Sequence, residues 1–137
     1  MRKRYGLYLL LLLLPTLLSG SAFRSLKVSS APSLVTQVDV VCRREYSSFT
    51  RHYTQSRKIE PILNYLRMLT YHGRPEFDPE RLAGNSYEIT LHYADGHSST
   101  YRQRSDRYLS KDGHPWETIR PEQAGLLFPL LESTASD

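Results

Sequence analysis

Five histidines, His52, His72, His92, His97 and His114, and one cysteine, Cys42, are the residues of this chain best suited to metal or nucleophilic chemistry. A zinc site needs three or four ligands converging on one point. The chain has no H-E-x-x-H and no C-x-x-C, and the strand register argued below turns His92 and His97 to opposite faces. Cys42 with a histidine could form a nucleophile–base pair. Its place in the middle of a strand, on the apolar side, suits a small buried hydrophobe better. Serines are plentiful, but no G-x-S-x-G elbow occurs and no glycine loop is built to cradle phosphate. Asp95 and Asp112 each precede glycine, where turn formation accounts for them. No catalytic, metal or cofactor site is expected from these residues.

Aromatic and basic side chains are the other chemical signal. Arg43, Arg44, Arg51, Arg102, Arg104 and Arg107 lie in or beside strand-like stretches, and tyrosines recur from Tyr46 to Tyr108. Tyr and Arg are enriched at binding hot spots, although Tyr also suits half-buried sheet positions for packing alone. Arg102, Arg104, Arg107 and Tyr108 are therefore the candidate partner-binding surface. Arg51 shares a face with Phe49 and Tyr53, so it must find a partner or reach the sheet edge.

These residues have to be positioned by a small domain that follows a leader. Arg2, Lys3 and Arg4 precede an apolar run from Tyr5 to Leu18, and small residues follow at Ser19–Ala22. That order is an export signal peptide over residues 1–22. As a helix rising about 1.5 Å per residue, the run covers roughly 21 Å, short of the roughly 30 Å hydrocarbon core. Cleavage before Phe23 is therefore expected, and an uncleaved anchor is the alternative. Ser21 stands where lipid attachment would need a cysteine thiol. The whole chain has a formal charge of +4, but losing the leader leaves 15 basic against 14 acidic residues, close to neutral. Nucleic acid is not an expected partner, because such binding wants a basic stripe on the working domain. Membrane contact is expected only through an uncleaved leader.

The mature part holds roughly 115 residues, enough for one domain with a modest core. Residues 23–33 read as a flexible lead-in, 34–132 as the domain and 133–137 as a disordered tail. Val38, Val40 and Cys42 alternate with polar neighbours across Leu34–Arg43, as do Phe49, Arg51 and Tyr53, and the two runs form a hairpin about a turn near Glu45–Ser47. Ile59, Ile62, Leu63, Leu66 and Leu69 make a helical stripe. Ser56 is placed to cap it and Gly73 to end it, with Pro61 arguing for a start as late as Pro61. Asp78-Pro79 opens a short helical turn that Gly84 ends.

Parity decides the next hairpin. Tyr87, Ile89, Leu91 and Tyr93 share one face of a strand. A three-residue loop, Ala94-Asp95-Gly96, places Ile89 opposite Tyr101 and Glu88 opposite Arg102, whereas a two-residue loop turns Tyr101 to the wrong face. Gly96 then takes the left-handed position of a type I turn with a bulge. A strand pair about Lys111–His114 follows, returning over Trp116–Ile119, and a weak helix opened by Pro121 and carrying Gly125 and Pro129 ends the domain. The expected fold is α+β: an antiparallel sheet of four to six strands with two helices packed on one face, with a hairpin–helix pseudo-repeat suggested by the shared element order of the two halves.

The stretches "HYTQSRKIEPILNYLRML", "YEITLHYADGHSSTYRQR" and "RYLSKDGHPWETI" resemble small exported proteins and lipoproteins of Gram-positive bacteria with no assigned function. The resemblance covers roughly residues 35–132. It implies an extracytoplasmic location and carries over no functional residue. Such proteins often have a lipobox cysteine where this chain has Ser21. The expected function is thus a non-enzymatic binding domain, secreted or associated with the cell envelope, whose partner is a protein or polymer there. A small hydrolase or metal-dependent enzyme with an unrecognised site is the alternative. The exported chain is predicted to begin at or near Phe23 and to carry no lipid. Intact-mass measurement of the secreted and membrane fractions checks this, and a membrane-bound mass matching residues 1–137 contradicts it.

Overall fold

The computed structural model describes residues 34–135. The leader, the lead-in and the last two residues of the tail lie outside the described residues. Six antiparallel strands form one sheet in the order β2-β1-β3-β4-β5-β6. They are β1 (Val35–Arg43), β2 (Phe49–Tyr53), β3 (Ser86–Tyr93), β4 (Ser98–Arg104), β5 (Tyr108–Lys111) and β6 (Glu117–Thr118). Helix α1 (Ser56–Met68) follows β2, and α2 (Pro121–Ala124) and α3 (Leu127–Ser133) close the chain. The fold is α+β, with the helices on the inner face of the sheet.

Alternation builds that inner face. Val38, Val40 and Cys42 of β1 pair with Leu91, Ile89 and Tyr87 of β3, and all six are buried. Ile89 lies opposite Tyr101 and Glu88 opposite Arg102, as parity requires. Tyr93 N–H bonds the His97 carbonyl at 2.9 Å, and Gly96 sits at φ +95°. Helix α1 covers this face with Ile59, Ile62, Leu63, Tyr65 and Leu66, and α3 adds Leu127 and Leu131.

Several details differ from the sequence reading. Helix α1 begins at Ser56 with Gln55 as its N-cap, so Pro61 lies inside it. Only the Arg57 carbonyl loses its intrahelical donor to the proline ring, and the apolar stripe from Ile59 onward outweighs that loss. The helix ends at Met68, with Leu69 already extended, rather than at Gly73. Gly73 does hold a left-handed φ of +106°, four residues further on. The short turn over Pro79–Arg81 is a 3₁₀ helix closed at Leu82, not Gly84, and capped by the Asp78 carboxylate, which accepts the Glu80 N–H at 3.0 Å. The C-terminal helix breaks at Gly125, and the chain restarts with Pro129 in the first turn of α3, where its missing N–H costs nothing. Helix α3 reaches Ser133, one residue beyond the expected end of the domain, and the Thr134 hydroxyl bonds the Leu130 carbonyl at 3.1 Å. The hairpin–helix pseudo-repeat is not reproduced. The first half is one hairpin and a helix, whereas the second is a four-strand meander before its helices.

One buried polar node ties sheet to helices. Gln103, only 1% exposed, faces inward with Tyr101. Its side-chain carbonyl accepts the Tyr65 hydroxyl of α1, and its amide donates to the Ala124 carbonyl of α2 at 3.4 Å. Burial pushes the Tyr65 phenol well above its ordinary value, so it stays a donor. Tyr65→Phe leaves the Gln103 carbonyl without that donor and is predicted to cost about 1–3 kcal/mol, read from urea denaturation midpoints against Tyr71→Phe, whose ring is 41% exposed.

Candidate functional site

The face of the sheet opposite the helices carries the chemistry. On β1 the residues between Val38, Val40 and Cys42 point outward, and the register arranges them in rows across the strands. One row runs His52, Asp39, Thr90, Thr100. The next runs Thr50, Val41, Glu88, Arg102, Ser110. A third runs Arg43, Ser86, Arg104, Tyr108, Thr118.

Asp39 is the centre of the first row. His52 Nδ1 donates to its Oδ1 at 2.6 Å, His92 Nε2 to its Oδ2 at 2.7 Å, and Gln37 Nε2 to Oδ1 at 2.8 Å. One carboxylate thus orients two imidazoles from two neighbouring strands. Partial burial works to raise the Asp39 carboxyl, but the three hydrogen bonds outweigh it and hold the group below the usual carboxylate range. The rings remain accessible, at 66% for His52 and 40% for His92. Beside them the Thr90 and Thr100 hydroxyls bond each other at 3.2 Å. Among the described residues no group of three or more His, Cys, Asp or Glu side chains is placed to hold a metal ion.

The sequence reading did not single out this cluster. Its short-range half was within reach, because the inward alternation of Val38, Val40 and Cys42 against Phe49, Arg51 and Tyr53 forces Asp39 and His52 outward together. The partnership with His92 depends on β1 pairing with β3, a non-local choice. His97 behaves as expected. It lies on the other face, where its ring stacks on Tyr93 with centroids 4.5 Å apart.

The residues singled out from sequence divide. Arg102 donates to Glu80 Oε1 at 2.6 Å, so the register partner Glu88 is not its ion-pair partner. Its guanidinium also lies 5.5 Å from the Trp116 ring centre. Arg104 donates to the Leu82 carbonyl at 3.3 Å, and Arg107 is exposed in the β4–β5 turn. Tyr108 is a correction: it is 8% exposed and packs edge-on against Phe77 at 5.4 Å, so its ring belongs to a satellite core. The segment from Phe77 to Leu82 crosses the outer face here, a path no local pattern predicts. Arg51 faces inward and donates to the Leu131 carbonyl at the end of α3, with Phe49 stacked 3.9 Å from its guanidinium carbon. Cys42 is buried, and desolvation pushes its thiol up against the opposing pull of Arg44 and Arg51.

The lowered Asp39 value fixes the sign of a pH effect. A carboxyl held lower in the folded than in the unfolded chain adds stability that is present above the unfolded value of about 3.8 and lost as pH falls through the folded one. Asp39→Asn is therefore predicted to lower stability at neutral pH and to narrow the gap to the native chain below that window. Denaturation midpoints measured from pH 7 to pH 2.5 check this, and a gap that stays constant contradicts it.

No family model, no curated protein and no solved structure matches this chain, so its function has to be read from the outer face itself.

Proposed function

We propose that this chain is an exported, non-enzymatic interaction domain that presents the outer face of its sheet to a protein or polymer in or outside the cell envelope. The observation that carries the reading is the Asp39 array: two accessible imidazoles held in fixed orientation by one carboxylate. Groups already ordered by their own hydrogen bonds lose less freedom when a partner docks, and an oriented His, Asp and Thr surface offers donors and acceptors in a set pattern. The basic leader and the resemblance to exported Gram-positive proteins support the location. An Asp–His pair becomes a hydrolytic device when its imidazole activates a hydroxyl or thiol. Here the rings hold no Ser, Thr or Cys side chain among the described residues, and the Cys42 thiol lies on the buried face. That arrangement favours docking over turnover.

Cross-linking of the purified chain to cell-envelope fractions tests the reading. The partner captured by the native chain should be lost with the double substitution His52→Ala and His92→Ala, and kept with Glu60→Ala on the exposed side of α1. A capture profile unchanged by the double substitution, or reduced equally by Glu60→Ala, removes the outer face as the docking surface.

A further inference from the structure

The third row of the outer face has its own chemistry. Arg43 lies opposite Ser86, and Ser86 lies opposite Arg104, all three pointing away from the core. With neighbouring strands about 4.8 Å apart, the two arginines stand roughly 10 Å apart across the serine. Ser86 is the short residue between two long ones, and a small cleft of about 30 Å³ opens there, walled by Glu88, Arg102 and Trp116. Roughly 10–15 Å³ of such space already holds one water, so the cleft admits two or three oxygen-sized atoms and no more. What enters is the head of a group carried on something larger.

The charge around the cleft is unbalanced. Arg43 is exposed and has no carboxylate partner among the described residues. Arg104 spends one N–H on the Leu82 carbonyl and keeps four others. The charge of Arg102 is met by Glu80 at 2.6 Å. Glu88 is the one carboxylate lining the cleft, one row away from Ser86. Arg43 and Arg104 line the cleft from the strands on either side of Ser86, and a tetrahedral oxyanion offers oxygen pairs in more than one direction to two such guanidiniums, whereas a carboxylate offers a single edge. Trp116 supplies an apolar wall for whatever carries the anion.

We propose that Arg43, Ser86 and Arg104 form a binding site for a phosphoryl group borne by a larger ligand, with Trp116 flanking its substituent. The inference rests on the reading of the outer face as a docking surface and names the ligand chemistry for one end of it. Titration of the full chain with inorganic phosphate, phenyl phosphate or acetate, followed by amide and indole NMR shifts at constant ionic strength, tests it. Both phosphates should move Ser86, Glu88 and Trp116 saturably, with phenyl phosphate binding more tightly, and acetate should not. Arg43→Ala should weaken phosphate binding about tenfold, the loss of one charge-assisted hydrogen-bond pair. Arg43→Lys should recover only part, since an ammonium lacks the fork, and Glu88→Gln should tighten binding by removing the local negative charge. Arg57→Ala, an exposed arginine on α1, should leave it unchanged. Absence of saturable shifts, acetate binding as well as phosphate, or Arg57→Ala weakening binding as much as Arg43→Ala overturns the site. Any of these results leaves capture through His52 and His92 standing, so the failure of this site and of the wider reading are distinguishable.

Discussion

The fold depends on keeping Gln103 satisfied inside an apolar layer. Parity on β4 sends Gln103 inward with Tyr101, into a core otherwise built from Val, Ile, Leu, Tyr, Cys42 and Ala124. A buried amide without partners costs far more than an average hydrogen bond returns, so the surroundings have to supply both a donor and an acceptor. The donor is the Tyr65 hydroxyl of α1 and the acceptor is the Ala124 carbonyl at the end of α2. Meeting both demands sets the rotation of α1 about its axis, which turns Ile59, Ile62, Leu63 and Leu66 onto the sheet. It also sets where α2 must stop, and Gly125 follows at once. Such a node is specific as well as stabilising, because a sliding helix would lose it abruptly.

Arg51 solves the same problem at the β2 edge by other means. An inward cation there cannot be left bare. Its guanidinium meets the Leu131 carbonyl, one of the acceptors that the end of α3 leaves open, where the helix dipole also favours positive charge. Phe49 stacks on Arg51, Phe49 contacts Phe128 with centroids 6.5 Å apart, and Arg44 lies 3.6 Å over the Phe128 ring. The short α3 is thereby pinned by alternating cations and rings, which offsets the weak helix signal of Gly125 and Pro129.

What could be read from sequence was what short-range rules govern. The three-residue loop, the Ile89–Tyr101 register and the left-handed Gly96 follow from parity within one hairpin. The α1 stripe follows from spacing within one helix. Tyr65, Gln103 and Tyr108 were not legible, because a polar or amphipathic side chain is buried only if a distant element comes to meet it. Tyr65 sits between Ile62 and Leu66 on the buried side, yet its hydroxyl could equally have reached solvent. The candidate site split in the same way. Asp39 and His52 were implied by hairpin alternation, while His92 and the covering of Tyr108 required the order of strands.

The link from Leu69 to Asn85 decides which part of the outer face stays open. Leaving the end of α1, it seals the β6 edge: His72 N–H bonds the Thr118 carbonyl at 2.8 Å and Thr118 N–H bonds the Gly73 carbonyl at 2.7 Å. Covering an edge in this way removes a template for unwanted strand pairing. Gly73, at a left-handed φ that few other residues adopt, lets the chain continue around that edge. The same segment then lies across the outer side of β4 and β5, placing Phe77 on Tyr108, Glu80 on Arg102 and the Leu82 carbonyl on Arg104. It stops short of β3, β1 and β2. The rows centred on Asp39 and Ser86 are therefore left uncovered toward β1 and β2, where His52 and Arg43 are exposed and Asp39 and Ser86 half-buried, and Arg104 and Arg102 stand at the margin of the wrap, each held by one contact from the link. A single connection closes one edge of the sheet, buries one end of its outer face and leaves the other end as ordered, accessible polar surface.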